Sequence, residues 1–210
     1  MAKNFFPIRV KAVLFDLDGV LVDSFRYWFK LFNQSLRHFG HESVGLRTFR
    51  KCWGQSTAED VRLFMPERTV AEVRAYFLRR QDDHLRFFRG NHRAAPVLRK
   101  LARRGFRLGC VTYSHRPIAR VELETTGLDE FFRVVLTADD VKKPKPDPEM
   151  ILTACRRLRV APAAAVFVGD TPTDRQAGQA AGCSFIGYRL DSAASIDRLD
   201  ELPDLILGGR

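Results

Sequence analysis

Three carboxylates, Asp16, Asp18 and Asp23, fall within eight residues of the segment VLFDLDGVLVDS, residues 13–24. Like charges two residues apart repel unless a cation joins them, and a hard cation with oxygen ligands suits such a pair. The residues leading into them, Ala12-Val13-Leu14-Phe15, are continuously apolar, as in a strand buried on both faces of a parallel sheet, where ligands gather beyond the carboxyl ends of the strands. The structural alternative is an Asp18-Gly19 turn closing a hairpin with Val20-Leu21-Val22. Asp23 needs no chemical role, because capping the helix that follows accounts for it.

Three later segments end apolar runs in the same way. CVTYSHR places Thr112 just beyond one run, VKKPKPDP places Lys143 and Lys145 after another, and VFVGDTPTD places Asp170 and Asp174 after a third. Each also has a structural reading. Thr112 can end a strand, and the lysines can sit on an extended connection, since residues before proline avoid the helical region. Thr171, Pro172 and Asp174 can be the N-cap, N1 and N3 residues of a helix. Together, two acids, a hydroxyl, a lysine and a further acid at successive strand ends converge on one edge of a sheet. His115, beside the second segment, carries no assigned role.

The elements that position these groups follow from periodicity. Phe25, Trp28, Phe29, Phe32, Leu36 and Phe39 recur at helical spacing, with Asp23 or Ser24 as the N-cap and Gly40 as a stop. Further helical patterns cover Val44–Cys52, Ala58–Met65 and Val70–Phe88. Strand-like runs resume after Asn91: Leu108–Val111, Val134–Thr137, Ala164–Val168 and Ser184–Tyr188, alternating with helical patterns at Ile118–Thr126, Pro148–Leu158 and Thr173–Ala181. This alternation implies right-handed βαβ crossovers, an α/β class with a Rossmann-like parallel sheet. Residues 1–24 and 92–210 form the expected catalytic core, and 25–91 a helical insert after the first strand.

Composition sets the outer limits. The 210 residues are 45% hydrophobic and 29% charged, an ordinary globular balance, and the longest apolar runs are strand-sized, short of the roughly 20 residues that span a bilayer. Cys52, Cys110, Cys155 and Cys183 are far apart and include no CxxC pair, which fits reduced thiols in a cytoplasmic protein. The formal charge is +10, and Phe25–His92 holds 13 Lys/Arg against 7 Asp/Glu. No nucleic-acid-binding motif accompanies that excess, so no nucleic-acid or membrane partner is expected.

With DLDGVLVDS, VTYS, KPKPDP and GDTPTD in that order, the sequence resembles the haloacid dehalogenase superfamily of phosphotransferases and phosphatases. The resemblance covers essentially the whole chain, including an insert at the place of the helical, C1-type cap of the phosphoglycolate phosphatase-like branch. It implies Asp16 as the nucleophile that forms an aspartyl-phosphate and Asp18 as general acid and base. It implies Mg²⁺ held by Asp16, Asp18 (through its backbone carbonyl) and Asp170, with Asp174 in support. Thr112 and Lys143 would bind the transferring oxygens, the family's Lys-Pro-x-Pro form selecting Lys143 over Lys145. Tyr113 stands where relatives often have a small polar residue. The aspartate at position 18 resembles the phosphatase and mutase branches, not the dehalogenases.

Within the insert, CWGQSTAED (Cys52–Asp60) resembles the loop that sets specificity, with Gly54, Gln55 and Ser56 as candidate substrate contacts; a helix N-terminus capped by Ser56 or Thr57 is the alternative. The implied function is a Mg²⁺-dependent phosphatase acting on a small phosphorylated metabolite, 2-phosphoglycolate-like as the best single guess. The alternatives are a β-phosphoglucomutase-like sugar-phosphate mutase and a non-catalytic binding or regulatory module on the same fold.

Overall fold

The apolar run Ala12–Phe15 is a strand, β1, and all four of its residues are buried. In this computed structural model, which describes residues 10–208, β1 is joined by β2 (Arg107–Val111), β3 (Val134–Leu136), β4 (Ala165–Gly169), β5 (Ser184–Tyr188) and β6 (Ser195–Ile196). The sheet order is β3-β2-β1-β4-β5-β6. Every pairing is parallel: Leu14 lies opposite Gly109 on one side and Phe167 on the other. The order reverses between β1 and β4, the switch point at which open α/β sheets open a crevice at their carboxyl edge. The fold is the Rossmann-like α/β architecture read from the sequence, and no hairpin follows β1. Instead the chain curls tightly, with the Leu21 and Val22 amides both donating to the Leu17 carbonyl.

The chain divides into two units, one comprising the chain up to Val22 and from Gly90 onward, the other Asp23–Arg89. The crossings lie two residues before those expected. The second unit is helical: α1 (Phe25–His38), α2 (Leu46–Lys51), α3 (Thr57–Phe64) and α4 (Val70–Arg80). Beyond Arg80 the chain tightens into 3₁₀ turns over Gln81–Phe87, so the expected helix to Phe88 ends about two turns early. The aromatic periodicity of α1 splits between two partners. Phe25, Phe29 and Phe32 meet Phe49 of α2, while Trp28 meets Phe77 of α4 edge-on. Capping boxes close the starts of α3 (Ser56 with Glu59) and α4 (Thr69 with Glu72).

Among the described residues, five α-helices belong to the sheet-bearing unit: α5 (Ala94–Arg103), α6 (Arg116–Thr126), α7 (Glu149–Leu158), α8 (Pro172–Ala180) and α9 (Leu202–Leu207). The sequence pattern assigns no element to α5, α9 or β6. Proline at position 96 sits in the first turn of α5, where its missing N–H costs nothing. The core packs Leu14, Val111, Leu136 and Phe167 of the sheet against Met150, Ile151, Ala154 and Leu158 of α7 and Ala177 of α8. Burying such side chains contributes roughly 1.5–3 kcal/mol each and fixes the strand ends that carry the polar residues.

Candidate active site

Asp16 follows β1 directly, and its amide continues the ladder by donating to the Val168 carbonyl of β4 at 2.9 Å. Thr112 does the same beyond β2, donating to Leu136 O at 2.9 Å. Asp170 follows the last residue of β4, and Asp174 stands in the first turn of α8. These residues meet at the carboxyl edge of the sheet, beside the switch point. Carboxylate oxygens of Asp16, Asp170 and Asp174 lie within 4.8 Å of one another.

The lysine at this cluster is Lys145. Its buried ammonium donates to Asp16 Oδ1 at 2.9 Å, to Asp174 Oδ1 at 2.6 Å and to the Val111 carbonyl at 3.5 Å, which engages all three of its N–H groups. It also lies over the rings of Tyr113 and Phe167, 5.1 and 5.7 Å from their centroids. The Tyr113 departure from the family pattern thus supplies an aromatic face to the cation. Lys143, the residue selected from the sequence, is exposed, and its backbone N–H donates to Glu149 Oε2 at 2.9 Å. That corrects the expectation: with Lys-Pro pairs two residues apart, the chain turns inward at the second.

Asp174 serves two structures at once. Its Oδ2 accepts from the Thr171 hydroxyl (2.6 Å) and amide (3.1 Å), and its own amide donates to Thr171 Oγ1, completing the capping box of α8. Its Oδ1 faces Lys145. The helix-start reading of Thr171, Pro172 and Asp174 is therefore correct and compatible with a place in the cluster. Asp23 does not cap α1: the N-cap residue is Ser24, whose side chain makes no cap hydrogen bond, and Asp23 is exposed.

Asp18 is held by two hydroxyls. Thr112 Oγ1 donates to Asp18 Oδ2 at 3.1 Å and Ser114 Oγ to the same oxygen at 2.9 Å. Ser114 was not singled out in the sequence, where the only signal is its place two residues beyond the strand-ending threonine. His115, also unassigned, braces this loop: Asp139 accepts from His115 Nδ1 at 2.8 Å and from the Arg116 amide at 3.0 Å. Gly19 is required by space. Its φ is +84°, and a Cβ there would lie 2.1 Å from Asp170 Oδ2.

In the helical unit, Gly54 has φ +81° and the Gln55 amide donates to the Cys52 carbonyl. The Ser56 hydroxyl is engaged with Glu59, as the capping alternative anticipated.

Burial, followed by the charge of Asp174, pushes the Asp16 carboxyl well above the usual carboxylate range; Lys145 opposes them. Burial alone would lower Lys145, but Asp16 and Asp174 hold its ammonium above its ordinary value. The charges of Asp174, Asp170 and Asp18 all act on Asp16, and the one ammonium paired with it is that of Lys145. An all-oxygen donor set with this surplus of negative charge fits a hard divalent cation.

A family model described as haloacid dehalogenase-like hydrolase matches residues 13–188, and the chain belongs to that family. It is an enzyme of the phosphoric monoester hydrolase type. Among similar proteins, the pyrophosphatase PpaX of Bacillus velezensis is 33% identical over 191 residues, 85% of this chain and 83% of its own. The phosphoglycolate phosphatase of Nitrosospira multiformis is 31% identical over 221 residues, 96% of this chain and 97% of its own. A solved subfamily IA, variant 1 hydrolase of the superfamily, from Geobacter sulfurreducens, is similar with a TM-score of 0.72 and 25% identity, covering 96% of this chain and 99% of that one.

Proposed function

We propose that this enzyme is a Mg²⁺-dependent phosphatase that hydrolyses a small phosphorylated metabolite through an aspartyl-phosphate on Asp16. The observation that carries the reading is the placement of Asp16 at the switch point, ion-paired with Lys145 and surrounded by Asp18, Asp170 and Asp174. An Asp16 oxygen would attack phosphorus while the bond to the leaving oxygen breaks, and Asp18 would give that oxygen its proton. Asp18 would then take a proton from the water that attacks phosphorus and frees Asp16. The Lys145 ammonium and the Thr112 hydroxyl would bind the oxygens on which charge develops. Asp16, Asp170 and the Asp18 backbone carbonyl would hold Mg²⁺, with Asp174 in support. The ion would neutralise the carboxylates and the approaching phosphate.

The names of the relatives support a 2-phosphoglycolate-like substrate, and the PpaX similarity favours pyrophosphate as a second reading. Gly54 and Gln55 are our candidates for substrate selection, since the Ser56 hydroxyl is committed to its helix cap. The free cysteines accord with a cytoplasmic setting.

The test is phosphate release from 2-phosphoglycolate, pyrophosphate and hexose phosphates, with Mg²⁺ or EDTA, for the native protein and Asp16→Asn. Mg²⁺-dependent release that falls by at least about 10⁴-fold in the variant is the expected result. A folded protein that releases no phosphate from any of them overturns the reading. Isomerisation of a hexose phosphate without release would identify a mutase.

A further inference from the structure

Asp18 Oδ2 accepts two hydroxyl donors, and their arrangement is not symmetrical. The Ser114 amide donates to Thr112 Oγ1 at 3.0 Å. With that lone pair occupied by an N–H, the Thr112 hydroxyl proton points to Asp18. The Ser114 hydroxyl, bonded to the same carboxylate oxygen at 2.9 Å, stands outside that relay. Both side chains are buried, Thr112 completely and Ser114 to within 3%.

Thr112 cannot serve Asp18 throughout the reaction proposed above, because a hydroxyl has one proton to donate and the phosphoryl oxygens claim it. Ser114 carries no phosphoryl-binding role in that reading, and its hydroxyl is given to Asp18. We infer that Ser114 is the positioning residue for the general acid: it holds Asp18 Oδ2 after substrate has taken Thr112, and so keeps the acidic proton on Oδ1. A carboxyl oxygen that accepts a hydrogen bond from a fixed donor is the oxygen that does not carry the proton. Losing Ser114 removes that donor, and with it the bias of the proton towards Oδ1. The loop is built for this task. Asp139 clamps His115 through Nδ1 and Arg116 through its amide, and the His115 carbonyl accepts the first helical bond of α6 from Ala119. The backbone that follows Ser114 is thereby fixed.

This inference rests on the reading of Asp18 as the general acid, and the two can be separated. The measurement is kcat/KM, which reports the step that expels the leaving group, on two substrates. One is an alkyl phosphate such as 2-phosphoglycolate, whose alkoxide needs a proton to depart. The other is p-nitrophenyl phosphate, whose phenolate leaves without one. For Ser114→Ala the expected loss is about tenfold greater on the alkyl ester than on the aryl ester, a fraction of the 10²–10⁴-fold that a general acid supplies. Ser114→Thr, which keeps the hydroxyl, restores the ratio, and Ser114→Val, of the same shape as Thr, does not. The Thr and Val pair keeps the test valid if alanine loosens the loop. Equal losses on both esters, or none, overturn the inference while leaving Asp18 in place, provided that Asp18→Asn shows the alkyl-selective loss. If Asp18→Asn lacks that selectivity, the general-acid reading falls and the role of Ser114 with it.

Discussion

In the sheet-bearing unit, Asp16, Lys145 and Asp174 are at least nine-tenths buried and bonded to one another. In the helical unit the ion pairs, such as Arg80 with Asp83 and Arg68 with Glu72, lie at the surface, and the interior is a cluster of rings around Phe49. Surface pairs contribute about 0–1 kcal/mol, whereas breaking a buried pair strands a charge at a cost of about 3–5 kcal/mol. At this one cluster the sheet-bearing unit keeps charges where they cost stability and can do chemistry, although its other pairs, such as Arg120 with Glu124, lie at the surface. The other spends its polar residues on local helix caps and leaves the interior to packing.

The largest break in that contrast is expected at Lys145. Its replacement by alanine leaves Asp16 and Asp174 buried without their shared cation and should lower stability by about 3–5 kcal/mol, with phosphatase activity lost. Lys143→Ala, at an exposed side chain, should stay within about 0.5 kcal/mol of the native protein and keep its activity. Denaturant unfolding and phosphate release check both, and the reverse ranking would return the role to Lys143.

A smaller effect concerns pH. Asp16 holds its proton to a higher pH in the folded chain than in the unfolded one. As pH rises above the unfolded carboxylate value of about 4, the unfolded state releases that proton first and stability falls. In EDTA, Asp16→Asn should therefore gain on the native protein in unfolding free energy, read by denaturant melts between pH 4 and 8, by about 1.4 kcal/mol for each unit separating the two pKa values. A constant difference across that range would mean that the folded site does not resist ionisation of Asp16.

The smallest effect belongs to the helical unit. Ser56→Ala and Thr69→Ala each remove the N-cap of a capping box, and each should cost about 1 kcal/mol with KM unchanged. A rise in KM confined to Ser56→Ala would show that its hydroxyl reaches substrate as well as its cap.

The strands and most of the site were legible because charged residues interrupt continuous apolar runs, and in parallel sheets such interruptions fall on one edge. Asp16, Asp18, Thr112, Asp170 and Asp174 are all expected near such ends, and the structure brings them to one edge of the sheet. Lys143 and Lys145 are both candidates there, and the choice between them is not legible, because two Lys-Pro pairs in KPKP obey the same backbone rule and differ only in the path of the chain. Ser114 escaped because a lone hydroxyl past a strand has no pattern. Helix α5 escaped because its apolar stripe is short and its last turn merges into the basic run RKLARRGFR. Asp23 was misread because a carboxylate before a helix looks like a cap whether or not the backbone turns it inward.

The register of β1 also bears on how the chain emerges during synthesis. β1 is complete at Phe15, but its neighbour β2 begins at Arg107 and its other neighbour β4 at Ala165. At the usual 5–20 residues per second, an all-apolar strand therefore waits roughly 5–20 s for its first partner and longer for its second. The helical unit, whose contacts are all encoded between those points, can form in the interval. The order in which this protein is made therefore leaves the apolar strand that leads into its proposed nucleophile without a sheet partner throughout that interval.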